Sequence, residues 1–270
     1  MGTAFFVQCD VASVGAAVDR LLHTFRRSSC GVPGRRRYSL VGGEPGPGHA
    51  LYRDCSVVLR HSSWGGVVAA LLSELNLRAV DGFGHLAVHA GAVARDGRVL
   101  AFPAASGGGK STLTAACLQA GFDYVSDEAL CLDFATRSVL PYPRPVMLSE
   151  HSRSLLDVAE PPPPLGGSDE AALLPEDLGS RTAHCELLLG DVVMLARADG
   201  PPRLRRLAAP EAMALLLRMS FNHYKRPRET FDLVAAVASR LRAWELEYDH
   251  PRPAAQLMWN RLGAGLSQPA

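Results

Sequence analysis

The chain has almost no lysine. Lys110 and Lys225 are its only two, and arginine supplies every other basic position. Such a bias points to a GC-rich coding sequence, and against it a lysine inside a glycine-rich loop stands out. An excess of one charge sign is missing too: the net charge is +1, so no global field draws the chain to nucleic acid or to a membrane surface. Cysteine pairing motifs are absent. Cys9, Cys30, Cys55, Cys117, Cys131 and Cys185 form no C-x-x-C and have no histidine at zinc spacing. Free thiols, buried or half-buried in a reducing compartment, account for them. No apolar run reaches the roughly 18 residues a membrane span needs. The N-terminus lacks a basic stretch followed by an apolar one, so no secretory signal is read there. These absences set the expectation of a cytoplasmic protein without nucleic-acid or membrane partners; self-association is left open.

What is present fits a globular protein: 270 residues, 47% hydrophobic and 20% charged, enough to bury a full core. The segment that organises the rest is Arg98-Val-Leu-Ala-Phe-Pro-Ala-Ala-Ser-Gly-Gly-Gly-Lys-Ser-Thr-Leu113. An apolar run enters a small-residue loop, and Lys110-Ser111 opens a helix-forming stretch. The spacing follows the phosphate-binding pattern G-x-x-x-x-G-K-[ST], with Ala104 in place of the first glycine. Small residues at 107 to 109 let backbone N–H groups approach phosphate oxygens, and the helix N-terminus favours an anion. Ser106, Gly107, Gly108, Gly109, Lys110, Ser111 and Thr112 are therefore the expected nucleotide-binding residues, with Lys110 on the outer phosphates and Ser111 on Mg²⁺.

Flanking segments extend the pattern. Leu86 to Arg95, Asp96-Gly97 and Arg98 to Pro103 read as a hairpin with a two-residue type I′ turn. If Arg95 pairs with Arg98, His89 falls opposite Ala104, at the mouth of the loop. A helix over Lys110 to Ala120 closes at Gly121. Phe122 to Glu128 is a short strand ending in two carboxylates, which suit a metal ligand or a base for an attacking hydroxyl.

Elsewhere the signals are coarser. Val14, Val18, Leu21, Leu22 and Phe25 share one helical face. Arg35-Arg36-Arg37 reads as a solvated face or as a patch for a substrate or leader peptide. Gly42 to Gly48 is a loop, Tyr52 to Arg60 alternates like a strand, and Trp64 to Leu77 is helical. Ala129 to Asp133 and Ser138 to Leu140 are strand-like. Residues 159–183 are too rich in Pro and Gly to pack as an element, which leaves a mobile lid or a disordered loop. Leu187 to Ala196 is a strand, turned by Asp199-Gly200, with Arg203 to Leu207 returning. Pro210 to Met219 and Glu229 to Trp244 are helices, the latter with Phe231, Val234, Val237 and Leu241 inward, and Trp244 to Tyr248 is a last strand. No internal repeat occurs.

Taken together, His89-Ala-Gly91, the hairpin, Ala-Ser-Gly-Gly-Gly-Lys-Ser-Thr-Leu113 and Tyr124-Val-Ser-Asp-Glu128 resemble the catalytic core of HPr kinase/phosphorylase. They are most similar to the short family members found in bacterial peptide-tailoring clusters, including those that phosphorylate lasso-peptide precursors. The resemblance is specific over residues 86–133, weaker over 185–250 and loose over 1–60. It implies an α/β fold with a mixed sheet, a P-loop kinase core of the HPr kinase and phosphoenolpyruvate carboxykinase type. Residues 86–270 would form that kinase domain, and residues 1–85 an N-terminal subdomain. It implies ATP and Mg²⁺, with Asp127 as base, His89 and Lys110 as further catalytic groups, and Ser111, Asp127 and Glu128 at the metal. The implied acceptor is a serine of a peptide or protein; a small hydroxylated metabolite is the alternative, and a nucleotide-binding regulatory module is the reading from another class. Thr112 stands where authentic HPr kinases carry Glu, and their long downstream signature is absent. HPr itself is therefore not the expected acceptor, and no reverse phosphorylase reaction is expected.

Overall fold

The computed structural model describes residues 4–25, 36–44, 48–184 and 187–262. Arg26, Arg27, Arg35, Cys30 and Cys185 lie outside them. The chain is mixed α/β, with parallel and antiparallel strands in the same sheets. Its contacts divide it into two compact units, Met1–Gly84 with Arg144–Leu174, and His85–Pro143 with Pro175–Ala270.

In the first unit, β1 (Phe5–Cys9) leads to α1 (Ala12–Leu21), then to β2 (Arg36–Glu44), β3 (Gly48–Arg53), β4 (Ser56–His61) and α2 (Trp64–Asp81). The strands lie in the order β1-β2-β3-β4, and only β1 and β2 are parallel. Val14, Val18 and Leu21 bury their part of the expected face against Leu40, Leu51, Val67 and Leu71, whereas Phe25 lies beyond the end of α1 and is exposed. The single strand expected over Tyr52 to Arg60 is instead two, because Asp54 at φ +55° turns the chain. Part of the expected loop at Gly42 to Gly48 belongs to β2, whose residues up to Glu44 pair with β3. Arg36 and Arg37 sit exposed at the start of β2.

The second unit opens with β5 (Leu86–Arg95) and β6 (Arg98–Pro103), followed by α3 (Lys110–Gln119), β7 (Asp123–Ser126), β8 (Ala129–Leu132) and β9 (Val139–Leu140). The hairpin has the expected register, Arg95 opposite Arg98, and Asp96 and Gly97 take φ +51° and +75° as a type I′ turn requires. Gly121 ends α3 at φ +106°.

The chain then returns to the first unit for β10 (Val146–Ser149), α4 (Glu150–Leu155) and β11 (Glu170–Leu173). Here the structure corrects the expectation for residues 159–183. Glu170 to Leu173 pairs antiparallel with β10, and Ala171 and Leu173 are buried. Thr182 bridges to Tyr124, with Ala183 donating its N–H to the Tyr124 carbonyl at 2.8 Å. Four of its five prolines sit together on the approach, at 161–164, and further on the Gly179 and Ser180 N–H groups donate to the Glu176 and Pro175 carbonyls.

Back in the second unit come β12 (Leu188–Arg197), β13 (Arg203–Leu207), α5 (Ala209–Arg218), α6 (Pro227–Ala238), β14 (Arg242–Tyr248) and α7 (Pro251–Arg261). The sheet runs β13-β14-β12-β6-β5-β8-β9, with β7 also on β5. β12 is parallel to both β6 and β14. Arg203 to Leu207 therefore does not return beside β12; β14 inserts between the two. The helix expected through Trp244 ends at Ala238, and Phe231 points outward, 54% exposed. Asp191 explains the early stop. It is fully buried on β12 and takes two hydrogen bonds from Arg242 and one from Trp244 Nε1, all at 2.8 Å. A carboxylate without water needs those donors, and only a strand brings both to it.

Candidate functional site

β6 delivers the loop at residues 104–109 from the middle of the larger sheet, and α3 leaves from it. Gly107 and Gly109 take φ +76° and +84°, a region side chains rarely enter. A Cβ on Gly108 would meet the Ala104 methyl and the Ala105 carbonyl oxygen, both at 3.0 Å. With alanine in the first loop position, glycine is thus the residue that fits at 108. Residues 105–108 are exposed, so the loop backbone faces outward at the start of a ten-residue helix.

Lys110 is buried, and its Nζ donates to the Ala105 carbonyl at 2.9 Å, folding the ammonium back over the loop. On the next residue Ser111 Oγ donates to Asp127 Oδ2 at 3.1 Å. Asp127 follows β7 and is fully buried; Tyr124 donates its hydroxyl to Oδ1 at 3.1 Å and accepts from the Asp127 N–H. Ser126 Oγ accepts the N–H groups of Glu128 and Ala129, which fixes the turn carrying both acids.

His89 lies where the register puts it: Ala104 donates its N–H to the His89 carbonyl at 3.4 Å. Its Nδ1 is 3.2 Å from the Glu128 carbonyl oxygen and 3.5 Å from Glu128 Oε1. Glu128 and His89 keep 22% and 18% of their side chains exposed, unlike Asp127. The Phe221 ring meets His89 edge-on at 5.1 Å between centroids. Two residues on, Gly91 allows the close approach of α3, since a Cβ there would lie 2.5 Å from Thr114 Oγ1.

The expected residues thus gather as Lys110 on the loop, Ser111 with Asp127, and His89 with Glu128. Ser111 Oγ and the Asp127 carboxylate form a hard-oxygen pair that fits Mg²⁺, which takes one or two carboxylates and completes its shell with phosphate oxygens and water. Among the described residues no group of three His, Cys, Asp or Glu forms a cage for a metal by itself.

Two residues at the loop carry no motif in the sequence. Arg197 ends β12 and Tyr248 ends β14, and parallel pairing sets them opposite each other. A Cβ on Gly109 would lie 3.0 Å from the Tyr248 hydroxyl and 3.2 Å from Arg197 Nη2. The Arg197 guanidinium sits 4.8 Å from the Tyr248 ring centroid and donates through Nη1 to the Asp249 carbonyl. Burial pushes the Tyr248 phenol above its ordinary pKa, with Arg197 pulling the other way, so the hydroxyl is a proton donor at neutral pH.

Comparison with protein-family models and with curated proteins returns no match for the chain. Among the described residues no helix is long and apolar enough to cross a membrane.

Proposed function

We propose that the protein is an ATP-dependent kinase with an HPr-kinase-like P-loop core that transfers the γ-phosphoryl group to a serine hydroxyl of a peptide or protein. The observation that carries this reading is the loop with Gly107 and Gly109 at positive φ, opening α3 with Lys110 and Ser111 against the Asp127 carboxylate. On binding, Lys110 leaves the Ala105 carbonyl for the outer phosphates. Mg²⁺, held by Ser111 and Asp127, would neutralise charge on the β- and γ-phosphates.

The resemblance gives the base role to Asp127; the geometry favours Glu128. Both Asp127 oxygens already accept hydrogen bonds and the residue is fully buried, whereas Glu128 is partly exposed beside His89. In this scheme the acceptor oxygen attacks the γ-phosphorus in line and its proton passes to the Glu128 carboxylate. The bond to the β–γ bridging oxygen breaks, and ADP leaves with the electron pair. His89 orients the Glu128 side chain. The rim beside His89 supports a peptide acceptor rather than a small one: Phe221 and Tyr224 are 36% and 64% exposed, among the exposed basic residues His223, Lys225, Arg226 and Arg228.

The test is incubation with γ-labelled ATP and serine-containing peptides, with hydroxylated metabolites alongside. Label in a peptide, lost in Lys110→Ala, is the expected outcome. Label only in a metabolite changes the acceptor class, and nucleotide binding without transfer to any acceptor makes the protein a regulatory module.

A further inference from the structure

The order of the strands gives the nucleotide a direction. β6, which carries the loop, lies between β5 and β12. The acids and His89 stand on the β5 side, on β5 itself and after β7, which pairs with β5. Arg197 and Tyr248 stand on the opposite side, at the C-terminal ends of β12 and β14. Ligands of such sheets bind beyond the carboxyl ends of parallel strands, where these two residues and the loop converge.

Tyr248 is the second sign of a ligand. The residue is 1% exposed, and its hydroxyl lies against Gly109, the residue that precedes α3. Beside it, Arg197 presents Nη2 to the same glycine while its Nη1 is anchored on the Asp249 carbonyl. A guanidinium held by one edge and stacked on an aromatic ring is pre-organised for a phosphate oxygen.

We infer that Arg197 and Tyr248 form the nucleoside-side anchor of the site, donating to the α-phosphate and adjoining sugar, so that the γ-phosphate points toward Glu128 and His89. The inference rests on the phosphate-loop reading above and adds the orientation of the ligand. It makes Arg197 and Tyr248 binding residues that hold ATP and ADP alike.

Calorimetric titration of the full chain with MgATP and MgADP tests this. Arg197→Ala is expected to weaken both nucleotides by the same factor, about tenfold or more, and Tyr248→Phe both by about threefold. Arg197→Lys, which keeps the charge and the fold, should recover part of the loss. Unchanged affinities in Arg197→Ala and Tyr248→Phe, with the wild type binding normally, overturn the assignment while leaving the kinase reading intact. A loss confined to ATP puts Arg197 at the γ-phosphate and overturns it as well. A wild type that binds neither nucleotide overturns the phosphate-loop reading and this one with it.

Discussion

Gly91 shows how one missing side chain holds the loop and its flanking strand together. A Cβ there would come within 2.5 Å of Thr114 Oγ1 and 3.1 Å of the Phe102 ring, so Gly91→Ala must push α3 away from β5. Overpacking of this kind costs about 1–3 kcal/mol, to be read as a lowered urea midpoint with an unchanged slope. The two acids should separate in kinetics. Glu128→Gln is expected to lower kcat by roughly 10²–10⁴ while leaving the ATP dissociation constant unchanged. Asp127→Asn should raise the Mg²⁺ concentration needed for half-maximal rate. If the large kcat loss falls on Asp127→Asn and spares Glu128→Gln, the base assignment reverts to Asp127. Burial also settles the thiols: the Cys131 thiol is pushed up to about 12, and that of Cys117 is raised further by complete burial. Iodoacetamide at pH 8 followed by peptide mapping should modify exposed Cys55 and spare both. At this scale the sequence was legible where chemistry is local: His89, Lys110, Ser111, Asp127 and Glu128 all lie within one short stretch of recognisable spacing. Arg197 was not, because one arginine at the end of an apolar strand looks like the chain's many others.

Among the elements, legibility followed the range of the forces. The β5–β6 hairpin could be read to the residue because Asp96-Gly97 sets both its turn type and its register. The end of α6 could not, since Phe231, Val234, Val237 and Leu241 keep helical spacing up to the point where Asp191 claims Arg242 and Trp244 for β14. That carboxylate comes from more than 50 residues away in the sequence, and no local pattern announces it. Its role can be measured. Arg242→Ala leaves a fully buried carboxylate with only the Trp244 N–H and should cost about 3 kcal/mol or more, seen in thermal or urea unfolding. A cost under about 1 kcal/mol, the range of surface pairs, would show that water reaches Asp191 and that β14 is held by its backbone ladder alone.

For the molecule as a whole, the decisive fact is that the loop's sheet is assembled from remote stretches. Residues 86–103 supply its middle, 129–140 one flank, and 188–248 the other. The order in which these strands meet is a tertiary outcome, and it sets the acids on one side of the loop and Arg197 with Tyr248 on the other. The same long-range pairing explains why residues 170–173 and 180–183 read as loop in sequence: their partners are β10 and β7, not their chain neighbours. A ligand on the loop must therefore stabilise strands far from it in sequence. At ATP a hundred times above its dissociation constant, linkage adds about 2.7 kcal/mol to the opening of whatever must unfold to release it. Hydrogen exchange should show this as a slowing of about a hundredfold for the slowest amides of β5, β6 and β12 together. Lys110→Ala should abolish the effect. Protection limited to residues 104–112 would mean that the loop opens by itself and that the sheet does not act as one cooperative support for it.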